Sequence, residues 1–146
     1  MISTKRIDTS FTTFLPLYDL RPSKNLICGE ILDVYVYQFG ETAKKQNKIR
    51  FLDSRDQYLT EILPEVFQLT NLVELDIRSN QIDLIPYQIG NIKTLTRLEL
   101  GRNHLVTVPS EIGQLTNLIR HNLAFNQIKS LPNVLFLLIN LEVLNL

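Results

Sequence analysis

Side chains suited to acid–base, nucleophilic or metal chemistry are sparse in this chain. It has two histidines, His104 and His121, and one cysteine, Cys28, in 146 residues. His104 follows an asparagine and reads as a turn residue, while His121 stands where an inward leucine is expected. A lone core histidine is more often a hydrogen-bonded structural residue than a ligand. Cys28 has no histidine near it in sequence and reads as a small buried apolar residue. Asp53, Asp76 and Glu99 recur at intervals of 23, with Arg55, Arg78 and Arg97 two positions away. Neighbouring cations lower a carboxylate pKa, whereas acid catalysis needs it raised. No glycine-rich phosphate loop occurs. These features argue against an enzyme and imply neither cofactor nor bound metal.

The asparagines raise a different possibility. Asn80, Asn103 and Asn126 are also spaced by 23. An amide donates and accepts at once, so a stack of them can tie backbone groups that successive turns leave unpaired. The elements needed to stack them are visible around them. "LTNLVELDIRSNQIDLIP" (69–86) places Leu72, Leu75, Ile77, Ile82 and Ile85 at spacings that fit neither one helix nor one strand. Adding 23 gives Leu95, Leu98, Leu100, Leu105 and Val108, and adding 23 again gives Leu118, His121, Leu123, Ile128 and Leu131. A weaker copy runs through Ile49, Leu52, Ser54, Gln57, Leu59 and Ile62, and a further one begins at Leu141, Leu144 and Leu146. A unit of 20–29 residues with this L-x-x-L-x-L-x-x-N-x-L pattern is the leucine-rich repeat. The expected fold is an α/β repeat solenoid, a horseshoe with a parallel concave sheet and short 3₁₀ or extended convex returns. Proline after Ile85, Val108 and Leu131 sets the approach angle of each return.

Composition bounds the function classes. The chain is 45% hydrophobic and 21% charged, as in a soluble globular domain. Lys plus Arg and Asp plus Glu both number 15, so the net charge is zero. That balance argues against nucleic-acid binding, which needs clustered positive charge, and favours association. One cysteine permits no internal disulfide, and residues 1–20 lack an uninterrupted apolar signal segment. No stretch reaches the roughly 20 apolar residues needed to span a bilayer. The expected location is cytoplasmic.

Residues 1–48 do not repeat and are read as an N-terminal cap for the array of residues 49–146. Within them, 19–25 reads as a loop, 27–40 as a strand or hairpin arm and 41–48 as a short polar helix.

"LPEVFQLTNL", "IPYQIGNIKTL" and "VPSEIGQLTNL" (63–72, 85–95 and 108–118) resemble the 23-residue repeats of intracellular leucine-rich repeat proteins. These include the Ras-suppressor and Ras-scaffold group, plant Ras-group relatives, Scribble-like scaffolds and bacterial relatives. "KIRFLDSRDQYLTEILPEV" (48–66) is similar to the opening repeat of the bacterial forms. The resemblance covers 49–146, and Ser54, Gln57 and His121 depart from its pattern. It implies a protein partner, such as a small GTPase or a phosphatase subunit, and a scaffold role in signalling. The alternative is the recognition domain of a larger signalling phosphatase, kinase, cyclase, GTPase or receptor.

Strand alternation sends Glu74, Asp76 and Arg78 to the concave face. The candidate partner-binding residues are Asp53, Arg55, Glu74, Asp76, Arg78, Arg97, Glu99, Arg102, Arg120, Asn122 and Phe125. Arg55, Arg78, Arg97 and Arg102 are expected to compensate the stacked carboxylates, and Phe125 to offer an aromatic anchor. At the C-terminal end, Val134, Phe136, Leu137 and Ile139 occupy the positions of Glu111, Gly113, Gln114 and Thr116. That end is expected to self-associate or to meet further repeats.

Overall fold

The computed structural model describes residues 49–146 and the backbone of Asp19 and Leu20. Cys28 and the segments 27–40 and 41–48 lie outside the described residues. Six short strands lie side by side in chain order: β1 (Asp19–Leu20), β2 (Phe51–Asp53), β3 (Glu74–Asp76), β4 (Arg97–Glu99), β5 (Arg120–Asn122) and β6 (Val143–Asn145). All neighbours are parallel, and from β2 onward the register advances by one 23-residue unit, aligning Leu52, Leu75, Leu98, His121 and Leu144. Parallel strands need a long crossover, and here the remainder of each repeat supplies it.

Asp19 and Leu20 depart from the loop expected over 19–25. They pair with Phe51 and Leu52 and extend the sheet at its N-terminal edge. Outside the repeats there is no period from which to read such a pairing.

The returns are 3₁₀ turns at Pro64–Gln68, Tyr87–Asn91, Ser110–Gln114 and Asn133–Leu137. Pro86, Pro109 and Pro132 precede the last three with φ of −63°, −70° and −70°, the value their rings impose. Ile89, Ile92 and Leu95, three apart, then drop into the interior, and their equivalents do the same except Leu141, which is half-buried. A three-residue spacing suits a turn with three residues per revolution.

The interior is one continuous apolar column. Leu72, Leu75, Ile82, Ile89, Ile92, Leu95, Leu98, Leu100, Leu105, Ile112, Leu115 and Leu118 are completely buried. Burying one such side chain contributes about 1.5–3 kcal/mol, so stacking is the main driving force and no repeat stands alone.

The asparagines join successive units. Asn80 Nδ2 donates to the carbonyls of Ile77 and, one repeat back, Ser54, while its Oδ1 accepts from the Gln57 and Leu59 N–H groups. Asn103 does the same with Leu100, Ile77 and Ile82, and Asn126 with Leu123, Leu100 and Leu105. Asn80 and Asn103 are buried and Asn126 half-buried. Gln57, at the equivalent position of the first repeat, donates among the described residues only to the carbonyls of Arg55 and Asp56. Just before each of these positions the backbone turns left-handed, at Asp56, Ser79, Arg102 and Phe125, with φ of 56–59°. Such angles are strained for non-glycine residues. Their recurrence in four units assigns the strain to the turn itself.

Candidate functional site: the concave sheet face

Alternate residues of each strand leave the core and line the concave face, where a shallow depression of about 220 Å³ is bordered by Asp53, Arg55, Glu74, Asp76, Arg78, Arg97 and Glu99. Asp53, Asp76, Glu99, Asn122 and Asn145 stack in one column on neighbouring strands. Strands about 4.8 Å apart would make the three carboxylates repel. Arginines remove that cost. Arg55 grips Asp53 with two donors at 2.9 and 2.7 Å, and its Nε lies 3.6 Å from Asp76. Arg78 repeats the arrangement one strand on, at 2.9 and 2.7 Å from Asp76 and 3.8 Å from Glu99. Arg97 closes the row with Nε 2.9 Å from Glu99. Asn122 Nδ2 donates to the other Glu99 oxygen at 2.9 Å.

Glu99 is the buried member, 6% exposed. Burial alone would raise its pKa. The hydrogen bonds from Asn122 and Arg97, with the charges of Arg78 and Arg97, outweigh that effect and hold it below the usual carboxylate value. Arg55 and Arg78 are held more firmly charged, each chiefly by the hydrogen bond to its carboxylate, Asp53 and Asp76 respectively. The row is an alternating, charge-balanced zipper whose members satisfy one another.

The remaining candidates are arranged differently. Glu74 and Arg120 face outward, and among the described residues neither makes an ion pair or side-chain hydrogen bond. Arg102 does not compensate the carboxylates as expected. It projects from the left-handed turn beyond β4, and its guanidinium sits 5.3 Å from the centre of the Phe125 ring. Phe125 occupies the equivalent turn and is 76% exposed. Arg102 and Phe125 therefore lie at the rim of the sheet.

Two departures from the repeat pattern point inward. Ser54 and His121 are completely buried, and Ser54 Oγ and His121 Nε2 find no hydrogen-bond partner among the described residues. His121 Nδ1 meets the Leu98 carbonyl at 3.2 Å. Burial pushes its pKa down to about 4, against the smaller opposing effects of the Leu98 carbonyl and Glu99. Sealed in the core, the imidazole has no access to a substrate. Among the described residues no group of histidine, cysteine and carboxylate side chains could hold a metal ion, and no helix is long and apolar enough to cross a membrane.

The leucine-rich repeat family profile matches residues 71–92. No curated protein matches the chain. Solved structures do. A leucine-rich repeat protein of Leptospira interrogans is 29% identical over 70% of this chain and 32% of its own length, with a TM-score of 0.53. An internalin of Listeria monocytogenes is 25% identical over 70% of this chain and 29% of its own, with a TM-score of 0.56. The leucine-rich repeat ectodomain of a plant membrane receptor kinase from Arabidopsis thaliana is 28% identical over 70% of this chain and 13% of its own, at a TM-score of 0.61. That ectodomain was solved in complex with Casparian strip integrity factor 2. The fold is a leucine-rich repeat solenoid. The repeats span a third or less of the length of these structures. As a class, the leucine-rich repeat fold is a protein-interaction module, and the concave face described above is a face of that fold.

Proposed function

We propose that this leucine-rich repeat chain is a non-catalytic scaffold that binds a protein partner through its concave face. The observation that carries this reading is the zipper. It holds six charged side chains on a rigid sheet in one geometry, so a partner meets a surface whose ordering cost is already met. The resemblance to Ras-suppressor-type repeats supports a signalling partner such as a small GTPase or phosphatase subunit. The single cysteine supports a reducing, cytoplasmic setting. Residues 1–48, with β1 on the sheet edge, are proposed to cap the first repeat.

The test is charge reversal. Arg97→Glu with Arg120→Glu should abolish capture of the partner from lysate with the circular dichroism spectrum unchanged, whereas Tyr87→Ala and Lys93→Glu on the convex side should be harmless. The reverse ranking moves the binding site to the convex face.

The coverage of only 32%, 29% and 13% of the matched structures supports a second reading, in which these repeats are the recognition part of a larger signalling enzyme or receptor. Sequencing the reading frame beyond codon 146 distinguishes the two.

A further inference from the structure

Arg97 and Arg120 face each other in register on β4 and β5. Their strands are about 4.8 Å apart, and like charges directly opposite one another are destabilising. Only Nε of Arg97 is engaged, by Glu99, and among the described residues Arg120 has no acceptor. Of the acids beside this pair, Glu74 is aligned with Arg97 but makes no ion pair among the described residues, and the others are already committed. Asp53 and Asp76 are gripped by Arg55 and Arg78, and the Glu99 oxygens by Arg97 and Asn122. The zipper thus consumes the polar groups of the N-terminal part of the face except Glu74, and leaves two guanidinium groups with free donors toward its C-terminal part. Beside them the surface becomes uncharged, with Val143 paired to Arg120 and Ala124 further along the same strand face. Phe125 lies just beyond, exposed, its ring held by Arg102.

We propose that Arg97 and Arg120 together bind a carboxylate of a protein partner, and that an apolar side chain further along the same segment rests on Ala124 and Phe125. The proposal rests on the concave-face reading and names the chemistry of its partner, an extended acidic segment. A carboxylate between the two arginines relieves their repulsion and accepts charge-assisted hydrogen bonds. Glu74, unpaired among the described residues and aligned with Arg97 from the other side, repels that carboxylate and so sets the segment's direction. Position 124 lies about 13 Å along the strand from position 120 at 3.3 Å per residue. An extended segment therefore reaches both with its acidic and apolar residues about four positions apart.

A phage-displayed library of random twelve-residue peptides, selected on the 146-residue protein, provides the probe, and enriched peptides are measured by fluorescence anisotropy. The expected consensus is an Asp or Glu with an aromatic or aliphatic residue about four positions away. Arg120→Gln should weaken binding at least tenfold, as should Glu→Gln in the peptide. The two changes combined should cost little more than either alone. Arg120 is exposed, so its substitution leaves the fold intact, which a urea melt checks. Raising salt from 50 to 300 mM should weaken wild-type binding several-fold and the variant's far less. If no acidic peptide is enriched, or enriched peptides are indifferent to Arg120→Gln yet lost on Ala124→Asp, the arginine assignment is overturned while the concave face stands. If Arg120→Gln and Ala124→Asp are both harmless and Tyr87→Ala abolishes binding, the concave-face reading falls with it.

Discussion

His121 is the residue at which the core is most sensitive to conditions. Its neutral imidazole is completely buried, with a pKa pushed down to about 4 by burial, whereas the unfolded chain takes up the proton near 6.5. Between these values the unfolded state binds more protons, so stability is fully present above pH 6.5 and is lost progressively as pH falls toward 4. The loss amounts to about 3–4 kcal/mol at most, since one pKa unit is about 1.4 kcal/mol. Leucine occupies the equivalent positions 75 and 98. His121→Leu should therefore raise the urea midpoint, by more at pH 5 than at pH 7.5; an equal gain at both would exclude the imidazole as the cause. Glu99 acts in the same direction, but only below the ordinary carboxylate range. Asn103 tests another of the buried polar groups. Its loss leaves the Ile82 N–H without an acceptor, while the Ile77 and Leu100 carbonyls keep Asn80 and Asn126. Asn103→Ala should cost about 1–3 kcal/mol, and substitution of the exposed Gln114 less than about 0.5. Urea melts that rank the two equally would refute the ladder's stabilising role.

At the scale of the element, two phenylalanines occupy the same position of the 3₁₀ return with opposite fates. Phe67 is 6% exposed and Phe136 is 87% exposed. Between them Gly90 and Gly113 take this position, and the following return packs directly upon it. A Cβ on Gly113 would lie 2.8 Å from the Val134 Cβ, so that neighbour would have to shift. Phe67 is packed beneath the second repeat, whereas Phe136 has no described repeat above it. Phe67→Ala should therefore cost about 3–5 kcal/mol and Phe136→Ser less than about 0.5. Thermal melts of the two variants compare the same residue type at the same repeat position, with only the covering repeat changed.

For the whole molecule, the same exposed side chains govern association. Phe136, Leu137, Ile139 and Leu146 are 65–88% exposed, next to β6, which in the described sheet has a neighbour on one side only. Unpaired strand backbone and a net charge of zero both favour contact. The 146-residue polypeptide should sediment as dimers or larger species, and appending one polar repeat after Leu146 should render it monomeric. A stable monomer with protected C-terminal amides would show that the exposed end is tolerated in water.

The period of 23 was sufficient to read the sheet order, the inward residues, the asparagine stack and the columns of the concave face. Each follows from strand alternation and from a unit that buries its apolar side only against copies of itself. Tertiary structure decided the rest. Arg102 and Arg97 lie near the same carboxylates in sequence, but the left-handed turn carries Arg102 to Phe125 while strand alternation keeps Arg97 beside Glu99. The pairing of Asp19–Leu20 with β2 carries no period at all. Nor could sequence separate Phe67 from Phe136 or Arg97 from Arg120, because residue type and repeat position are the same in each pair. Burial and pairing of a side chain depend on what stacks against it, and only the three-dimensional arrangement contains that neighbour.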